Sequence, residues 1–333
     1  MDSRTSDFLR RFGSLIGLIL LCILIAILSD KFLSIKNLVN VARQSSITAL
    51  LALGVLLPIL TGGTDLSVGS IQGFTMCFMA YMAVSSDVLT KNLGPDYAPF
   101  AAMGLTLLVG LGIGMVNGLL LTKLKLPHPF ISTLGMLNIA RGMALIITDG
   151  MPISGLPPQI RWLGFADIIP GILPACVLLV VVVCILLHFM LNHTPFGRHI
   201  YAIGGSPEAA RLSGVNVTWV MNWLFAIAGV LYALGGIVLA GRVNSGYPLA
   251  GLGAELDAIA GAVIGGASLF GGEGTVVGTI IGVLIMGVLR NGLNLLNVSA
   301  FWQTSIIGLV VILAVWVDVL RRTAEYKASV KKT

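Results

Sequence analysis

The sequence predicts an all-α polytopic membrane protein with about ten transmembrane helices, some of them half-helices or re-entrant segments. Three observations lead to this fold class. Of the 333 residues, 56% are hydrophobic. Only 10% are charged, against roughly 25% in soluble domains. The apolar residues form long continuous runs, and charged or glycine-rich segments separate one run from the next.

This composition excludes several classes of protein. A cytosolic enzyme, a secreted disulfide scaffold or a disordered tail protein would need more polar residues or paired cysteines. A membrane β-barrel is disfavoured because its strands alternate polar and apolar residues. At about 20 apolar residues per span, the apolar content suffices for roughly nine spans. We therefore predict one transmembrane domain over 1–333, with short cytoplasmic tails at 1–11 and 321–333.

Charged residues divide the chain into ten candidate helices. Two of these segments are short or carry a charge, so we expect half-helices or re-entrant pieces at 129–148 and 256–271. The first segment follows three arginines but lacks a cleavage site, and we interpret it as an uncleaved first span. The ten segments are 12–29, 44–64, 66–86, 97–122, 129–148, 168–190, 212–241, 256–271, 274–296 and 301–320.

The distribution of lysine and arginine predicts the orientation. With ten spans and the N-terminus inside, inside segments carry twelve of these residues and outside segments carry six. Both termini are therefore expected in the cytoplasm, although the basic cluster at 31–43 runs against the trend. Ten spans divide into an inverted repeat of five plus five. Breaks at 61–66 and at 255–272 occupy corresponding places in the two halves, as in many transporters.

Glycines recur every four residues in several segments, which gives helices a smooth face for close packing. The clearest rows are Gly110, Gly114 and Gly118, and Gly274, Gly278 and Gly282. We expect these faces to pack within the chain, with a dimer interface or a pathway lining as the alternatives. The four cysteines lie inside apolar runs without a CxxC spacing, so we expect small buried side chains.

The most informative polar segment lies between the sixth and seventh candidate helices. Ser206 suits an N-cap, and Pro207 suits the first helical residue. Glu208 favours the positive end of a helix dipole, and Arg211 favours the negative end. Gly214 can end the helix in a left-handed conformation. The sequence therefore predicts a two-turn helix in a cytoplasmic loop.

So short a helix is marginal in water by itself, and we expect it to be stabilised by docking on another surface. Packing on its own subunit is the alternative. Signatures of catalysis are lacking, since the sequence contains no GxxxxGK[ST], HExxH or GxSxG motif. No catalytic residue, metal ligand, cofactor site or nucleic-acid surface is predicted for this chain.

The polar loop and its neighbours resemble a known family. Glu208-Ala209-Ala210, followed by Gly214, resembles the loop by which permeases of ATP-binding-cassette (ABC) importers engage their ATPase. The rest of the chain, from about 10 to 320, is similar to ribose-type sugar permeases. The segments that carry this resemblance are 60–70, 197–205, 211–217, 255–260 and 292–296. Thr64 departs from the family pattern, which more often has isoleucine before the aspartate.

The resemblance implies a multi-pass permease of the bacterial inner membrane that imports a monosaccharide, ribose or a related sugar. It implies three partners: an ATPase with two cassettes that binds ATP and Mg²⁺, a periplasmic sugar-binding protein, and a second permease, identical or a paralogue. The ATPase-coupling helix would comprise Ser206, Pro207, Glu208, Ala209, Ala210, Arg211, Leu212 and Gly214, within the loop 191–215.

Polar residues inside the apolar runs are the candidates for the translocation path. A charge at the bilayer centre costs at least ~2.5–3.5 kcal/mol, so these residues should face water, protein or each other. They could shape a sugar path and its gates, or they could cap half-helices and join neighbouring helices. The candidates are Asp65, Ser67, Asn117, Glu255, Asp257, Asn291 and Asn294.

Two other classes of function remain open from the residues. An ion-coupled secondary transporter of a small polar solute would use buried carboxylates such as Asp65 and Asp257 to bind Na⁺ or H⁺. It would leave the capped loop helix without a role. A membrane-embedded enzyme is disfavoured by the missing catalytic motifs. The sequence does not disclose which sugar would be carried.

Overall fold

The computed structural model describes residues 3–124, 126 and 128–330, with side-chain burial for 13–124, 126, 128–313, 315, 316 and 319. Helices continue into both predicted tails, since the first begins at Ser3 and the last ends at Val330. Residues 1–2 and 331–333 of these tails lie outside the described residues, as does Lys125, one of the charges used to predict topology.

Helices make up most of the described chain. The helices are α1 Ser3–Leu28, α2 Ile35–Leu60, α3 Val68–Ala80, α4 Asp87–Leu93, α5 Ala98–Thr122, α6 Pro129–Thr148, α7 Pro158–Phe165, α8 Ala175–His193, α9 Pro195–Gly205, α10 Pro207–Leu212, α11 Val217–Val243, α12 Ala254–Ile264, α13 Val276–Leu295 and α14 Ala300–Val330. A π-helical turn, Tyr81–Ser85, extends α3.

Two small antiparallel pairs of strands join helix ends. β1, Ile153–Ser154, pairs with β4, Ser245–Gly246, and so links the end of α6 to the end of α11. β2, Asp167–Ile169, pairs with β3, Leu173–Pro174, between α7 and α8. The strands therefore fix connections and contribute little to the core.

Each of the ten predicted segments contains a helix, but not all of these helices can cross a bilayer. Within the described residues, seven are long and apolar enough: α2, α3 with its π-helical turn, α5, α6, α8, α11 and α13. The apolar parts of α1 and α14, Gly13–Leu28 and Ala300–Leu313, are shorter. The eleven residues of α12 extend only about 16 Å, roughly half the hydrocarbon thickness. Helices α4, α7 and α9 were not predicted.

The segment 129–148 corrects one expectation. It was a candidate half-helix because it carries Arg141, but α6 is a full 20-residue helix. Arg141 donates from Nη1 to the carbonyl oxygens of Pro248, at 2.5 Å, and Ala250, at 2.7 Å. These two carbonyls pair Nη1 of the guanidinium with protein acceptors, so the charge faces protein and does not interrupt the helix.

Helices α2 and α11 form the centre of the molecule. Within the most apolar 18-residue stretch of each helix, 83% of the residues of α2 and 78% of those of α11 are buried. The corresponding share is 28% for both α5 and α6. The peripheral helices instead expose large apolar side chains such as Leu108, Ile146 and Ile185. An apolar periphery around a buried centre is the arrangement expected of a protein whose outer surface meets lipid.

The packing of the two central helices follows one pattern. α11 packs against α2, α3 and α5, and α2 packs against α11, α12 and α13. Likewise α3 packs against α5 and α6, and α12 packs against α13 and α14. Exchanging α2 with α11, α3 with α12, α5 with α13 and α6 with α14 therefore leaves this set of contacts unchanged.

The glycine rows provide close helix crossings within the chain. A methyl group on Gly110 would lie 2.5 Å from the carbonyl oxygen of Gly229, and one on Gly114 would overlap the carbonyl of Phe225. In the second row, Gly282 meets the backbone of α12 at Gly261, and Gly278 meets Gly265, the C-cap of α12. Gly274 instead precedes α13, with φ near +151°. Gly274 therefore belongs to the loop and not to the packing face.

The cysteines pack as the sequence predicts. All four are free thiols. Cys77 and Cys176 are fully buried, and Cys22 and Cys184 are partly buried. They act as small apolar side chains in the helix interfaces.

The α5–α11 crossing generates a stability prediction. Gly114→Val places two methyl groups against the α11 backbone, and overpacking of this kind costs about 1–3 kcal/mol or more. Gly112→Val on the same helix is the matched control, because nothing lies within 4 Å of its added Cβ. Thermal unfolding of the purified protein in detergent should show a lower midpoint for Gly114→Val only. Equal midpoints would contradict the crossing.

Candidate translocation path and ATPase-coupling surface

The loop helix α10 has the caps that the sequence predicts. Ser206 is extended, with φ −162° and ψ 106°, and its Oγ accepts from the Ala209 N–H at 3.2 Å. Pro207 is the first helical residue. Gly214 has φ +86°, a conformation that side chains rarely adopt. The helix is therefore closed at both ends by residues suited to each position.

The outer face of α10 is exposed to solvent. Arg211 Nη2 donates to Glu208 Oε1 at 2.7 Å, and both side chains are about two-thirds exposed. The hydrogen bond and charge of Arg211 lower the pKa of the Glu208 carboxyl, which is thus ionised at neutral pH. Leu212 is 78% exposed, while Ala210 is buried. α10 therefore presents a charged face with one exposed leucine.

A second helix, α9, precedes α10 and was missed in the sequence. Thr194 caps it by accepting from the Gly197 N–H at 3.2 Å, and Pro195 is its first residue. This Thr-Pro pair is a start signal that could have revealed it. Gly204 and Gly205, which directly precede the N-cap of α10, form the last turn of α9. Gly204 allows close backbone packing there.

Helix α9 contacts the two breaks of the apolar pattern. The Gly272 N–H donates to the Leu60 carbonyl oxygen at 2.9 Å, so the loop before α13 is joined to the end of α2. A methyl group on Gly204 would overlap both Leu60 O and Gly272 N. Tyr201 donates its hydroxyl to Gly274 O at 2.8 Å. We call this contact of α9, Leu60 and 271–274 the break junction.

Three predicted path residues, Asp65, Ser67 and Asn117, form one buried network. Asp65 Oδ1 accepts from the Ser67 backbone N–H at 2.8 Å and from its hydroxyl at 2.5 Å. Asn117 Nδ2 donates to Ser67 Oγ at 3.0 Å. Tyr232 on α11, which sequence reasoning missed, donates to Asp65 Oδ2 at 3.1 Å. Each of these residues is at most 1% exposed.

The network joins the start of α3 to the C-terminal part of α5 and to the middle of α11. Both carboxylate oxygens of Asp65 accept from donors of the chain itself, and Asp65 joins no ion pair among the described residues. Asn117 Oδ1 has no hydrogen-bond partner among the residues that the structure describes. No sequence spacing relates Tyr232 to Asp65, because 167 residues separate them. In this conformation the network is closed to solvent.

Glu255 and Asp257 lie in the first turn of α12, where a carboxylate is favoured by the helix dipole. Asp257 is also paired with Arg290 of α13, whose Nη2 lies 2.9 Å from Oδ1 and 2.8 Å from Oδ2. Glu255 packs beside Gly69 at the start of α3, since an added methyl there would lie 2.5 Å from Oε2. The two carboxylates thus connect α12 to different neighbours.

The two predicted asparagines of α13 do not act together. Asn291 exchanges two amide hydrogen bonds of 2.9 Å with Asn37 at the start of α2. Asn294 is exposed and accepts from Gln303 Nε2 of α14 at 2.8 Å. The structure therefore places Asn291 and Asn294 in separate contacts between helices and apart from the Asp65 network.

Comparison with known proteins identifies the class. The family described as "Branched-chain amino acid transport system / permease component" matches residues 37–315. This chain belongs to that permease family, which confirms the resemblance inferred from the sequence. No solved structure matches the chain.

Several curated relatives cover nearly the whole chain. The ribose import permease protein of Bacillus subtilis is 44% identical over 93% of both chains. The galactose/methyl galactoside import permease protein of Escherichia coli is 37% identical, over 94% of this chain and 95% of its own. The D-allose transport system permease protein of Escherichia coli is 37% identical, over 93% and 92%.

The Asp65 network yields a second prediction. Tyr232→Phe removes one donor from a buried carboxylate, and an unsatisfied group of this kind costs about 1–3 kcal/mol. The thermal midpoint in detergent should fall, and transport should fall with it if the network holds α3 in place. Tyr97→Phe, at a 70% exposed tyrosine, is the control. An unchanged midpoint for Tyr232→Phe would contradict the network.

Proposed function

We propose that this chain is the transmembrane permease subunit of an ATP-driven ABC importer for a monosaccharide, ribose or a related sugar. A separate ATPase with two cassettes would power alternating access. The observation that carries the proposal is the direct connection between α9 and α10. α10 is a capped helix with an exposed charged face, and α9, which precedes it, packs at the break junction. The names of the relatives support a sugar as the transported substrate.

The proposed coupling runs through backbone contacts. The ATPase would engage the exposed face of α10 at Glu208 and Leu212. Movement of α10 would pass through Ser206 into α9, because the Ser206 N–H donates to Ala202 O and its side chain caps α10. The break junction would then shift the end of α2 and the start of α13 together. Such a shared element couples two sites as alternating access requires.

The packing pattern supports the finer topology that we propose. Ten membrane segments, arranged as an inverted repeat of five plus five, would explain why the contacts named above survive the exchange of α2 with α11 and α3 with α12. The contacts of α1 and α8 do not follow this exchange. In this arrangement α1, α12 and α14 complete the ten. Both termini and α10 face the cytoplasm, and the protein lies in a bacterial inner membrane.

The partners follow from this assignment. A periplasmic binding protein would deliver the sugar to the face opposite α10, and two permeases, identical or paralogous, would enclose the path. A neutral sugar suits a path with few charges. Three of the described ion pairs lie between helices or on the surface, and the fourth, Arg43–Asp167, joins α2 to β2. Ribose, galactose and allose are the sugars that the names of the relatives suggest.

An ion-driven mechanism has less support. A Na⁺ ion at Asp65 would have to displace donors of the chain, because both carboxylate oxygens already accept hydrogen bonds. Asp257 is occupied by Arg290. The exposed α10 would also have no role in such a transporter.

The coupling assignment predicts the effect of Glu208→Lys. Reversing this exposed charge should weaken capture of the partner ATPase and lower sugar uptake in cells by at least ten-fold, which corresponds to about 1.4 kcal/mol. Expression and thermal midpoint should not change, because the side chain is two-thirds exposed. Uptake and co-purification of the ATPase are the measurements.

A charge swap is the control for this variant. Glu208→Arg combined with Arg211→Glu keeps an ion pair on α10 but moves each charge to the other's position. If α10 docks on the ATPase, the swap should fail as Glu208→Lys does. Full uptake by the swapped protein would mean that only the local ion pair matters, and the docking assignment would be wrong.

The topology generates a further prediction. A reporter enzyme that is active only in the cytoplasm, fused after Ser213, should be active, because α10 must face the ATPase. The same reporter fused after Gly94, which follows α4, should be inactive. A periplasmic signal at Ser213 would overturn both the orientation and the coupling role.

A further inference from the structure

A cavity of about 600 Å³ opens at the end of the molecule opposite α10. It is bounded by the first turns of α2, the end of α7, the turn between β2 and β3, and the end of α11. Three of its lining side chains are cationic, and one is anionic. The cations are Lys36, Arg43 and Arg242, and the anion is Asp167.

Both carboxylate oxygens of Asp167 already accept hydrogen bonds from the chain. Arg43 Nη2 donates to Asp167 Oδ1 at 2.5 Å, and Nη1 donates to Phe165 O at 2.6 Å. The other oxygen, Asp167 Oδ2, accepts from the Gly171 N–H at 3.1 Å. Arg43 and Asp167 therefore neutralise each other and shape the wall of the cavity.

Two cations are left without a partner. Among the side chains that the structure describes, neither Lys36 nor Arg242 makes an ion pair or hydrogen bond. Arg242 is partly buried and close enough to Arg43 to be repelled by it. A partly buried, unpaired guanidinium is costly, and a bound anion would recover that cost.

The cavity lies at the level expected for lipid headgroups. About 20 helical residues cross the hydrocarbon core. Leu60 of α2 lies at the break junction, and a stretch of about 20 residues that ends at Leu60 begins at Val41. Arg43 therefore lies near the opposite boundary of the hydrocarbon. Arg242 lies in the last turn of α11, a helix that begins beside α10 and extends about 40 Å.

An apolar groove of about 400 Å³ begins beside the cavity. On α2 it is lined from Ala42, the residue before Arg43, to Ala49, and α8 and α13 form its other walls. Val181, Ile185 and Val277 line it and are 45%, 63% and 59% exposed. The groove is therefore open to the surroundings along its length.

We propose that the cavity and the groove together bind one phospholipid with an anionic headgroup. Lys36 and Arg242 contact its phosphate, and one acyl chain lies in the groove between α2, α8 and α13. Arg43 and Asp167 hold the wall of the headgroup site. This explains why basic residues accumulate at 31–43 on a face where the charge pattern otherwise disfavours them.

The groove favours a lipid over the other anions that could reach this face. A free phosphate or an acidic side chain of a protein partner would pair with the cations but would leave the groove empty. A phospholipid satisfies both parts, since its phosphate complements the charge and its acyl chain covers the apolar walls. The exposed Ile35 and Phe165 at the rim, 68% and 62% exposed, also suit the interfacial region.

Native mass spectrometry of the full chain in detergent tests the proposal. The probes are dioleoyl phosphatidylglycerol, which is anionic, and dioleoyl phosphatidylcholine, which is zwitterionic. The protein should bind one phosphatidylglycerol more tightly than phosphatidylcholine. Lys36→Gln combined with Arg242→Gln should weaken phosphatidylglycerol binding roughly 25-fold, at about five-fold per basic residue. The binding of phosphatidylcholine should change little.

Two further variants separate the headgroup from the groove. Lys31→Gln with Lys91→Gln likewise removes two positive charges, but from exposed lysines that line neither the cavity nor the groove, so binding should be retained. Val181→Trp keeps every cation and fills the groove, so phosphatidylglycerol binding should weaken. Val181→Trp therefore still tests the proposal if the Lys36→Gln, Arg242→Gln variant does not fold.

Four outcomes would overturn the proposal. One is equal affinity for the two lipids, and another is an equal loss in the lysine control. Displacement of phosphatidylglycerol by millimolar inorganic phosphate, with no effect of Val181→Trp, would indicate a site for a free anion. Intact lipid binding by the double glutamine variant, together with weaker docking of the sugar-binding protein, would indicate a protein contact.

Discussion

The hydrogen bond from the Gly272 N–H to the Leu60 carbonyl oxygen is the contact on which the rest of the structure depends. It joins the end of the first central helix to the loop that starts α13. Gly204 brings α9 against both partners, because a larger residue would overlap their backbones. The loop helix α10, its neighbour α9 and the two breaks therefore form one continuous set of backbone contacts.

The central helices extend this constraint through the membrane. α2 ends at the break junction, and α11 carries Tyr232, which binds the carboxylate of Asp65 just beyond that end. Glycines on α5 let α11 approach closely, so the buried polar network is held between helices that cannot separate without losing both packing and hydrogen bonds. Asp65, in the first break, is thus bonded directly to a helix of the other half of the chain.

Sequence reasoning found the elements whose signals are local. Hydrophobic runs located a helix in each of the ten segments, of which seven are long and apolar enough to span a bilayer within the described residues. Ser206, Pro207 and Gly214 defined α10, because caps depend on neighbouring residues. It missed α9, whose residues are moderately polar and whose glycines suggested a loop. It could not find the pairing of Tyr232 with Asp65 or of Asn37 with Asn291. Those partners lie 167 and 254 residues apart, and only the fold brings them together.

The central claim is that the energy source acts from outside this chain through α10. Uptake of radiolabelled ribose, galactose or allose into proteoliposomes containing the permease, its ATPase and the sugar-binding protein tests it most directly. The account predicts that sugar accumulates only when the ATPase, ATP and the binding protein are all present. Accumulation by the permease alone, driven by a Na⁺ or proton gradient, would contradict it.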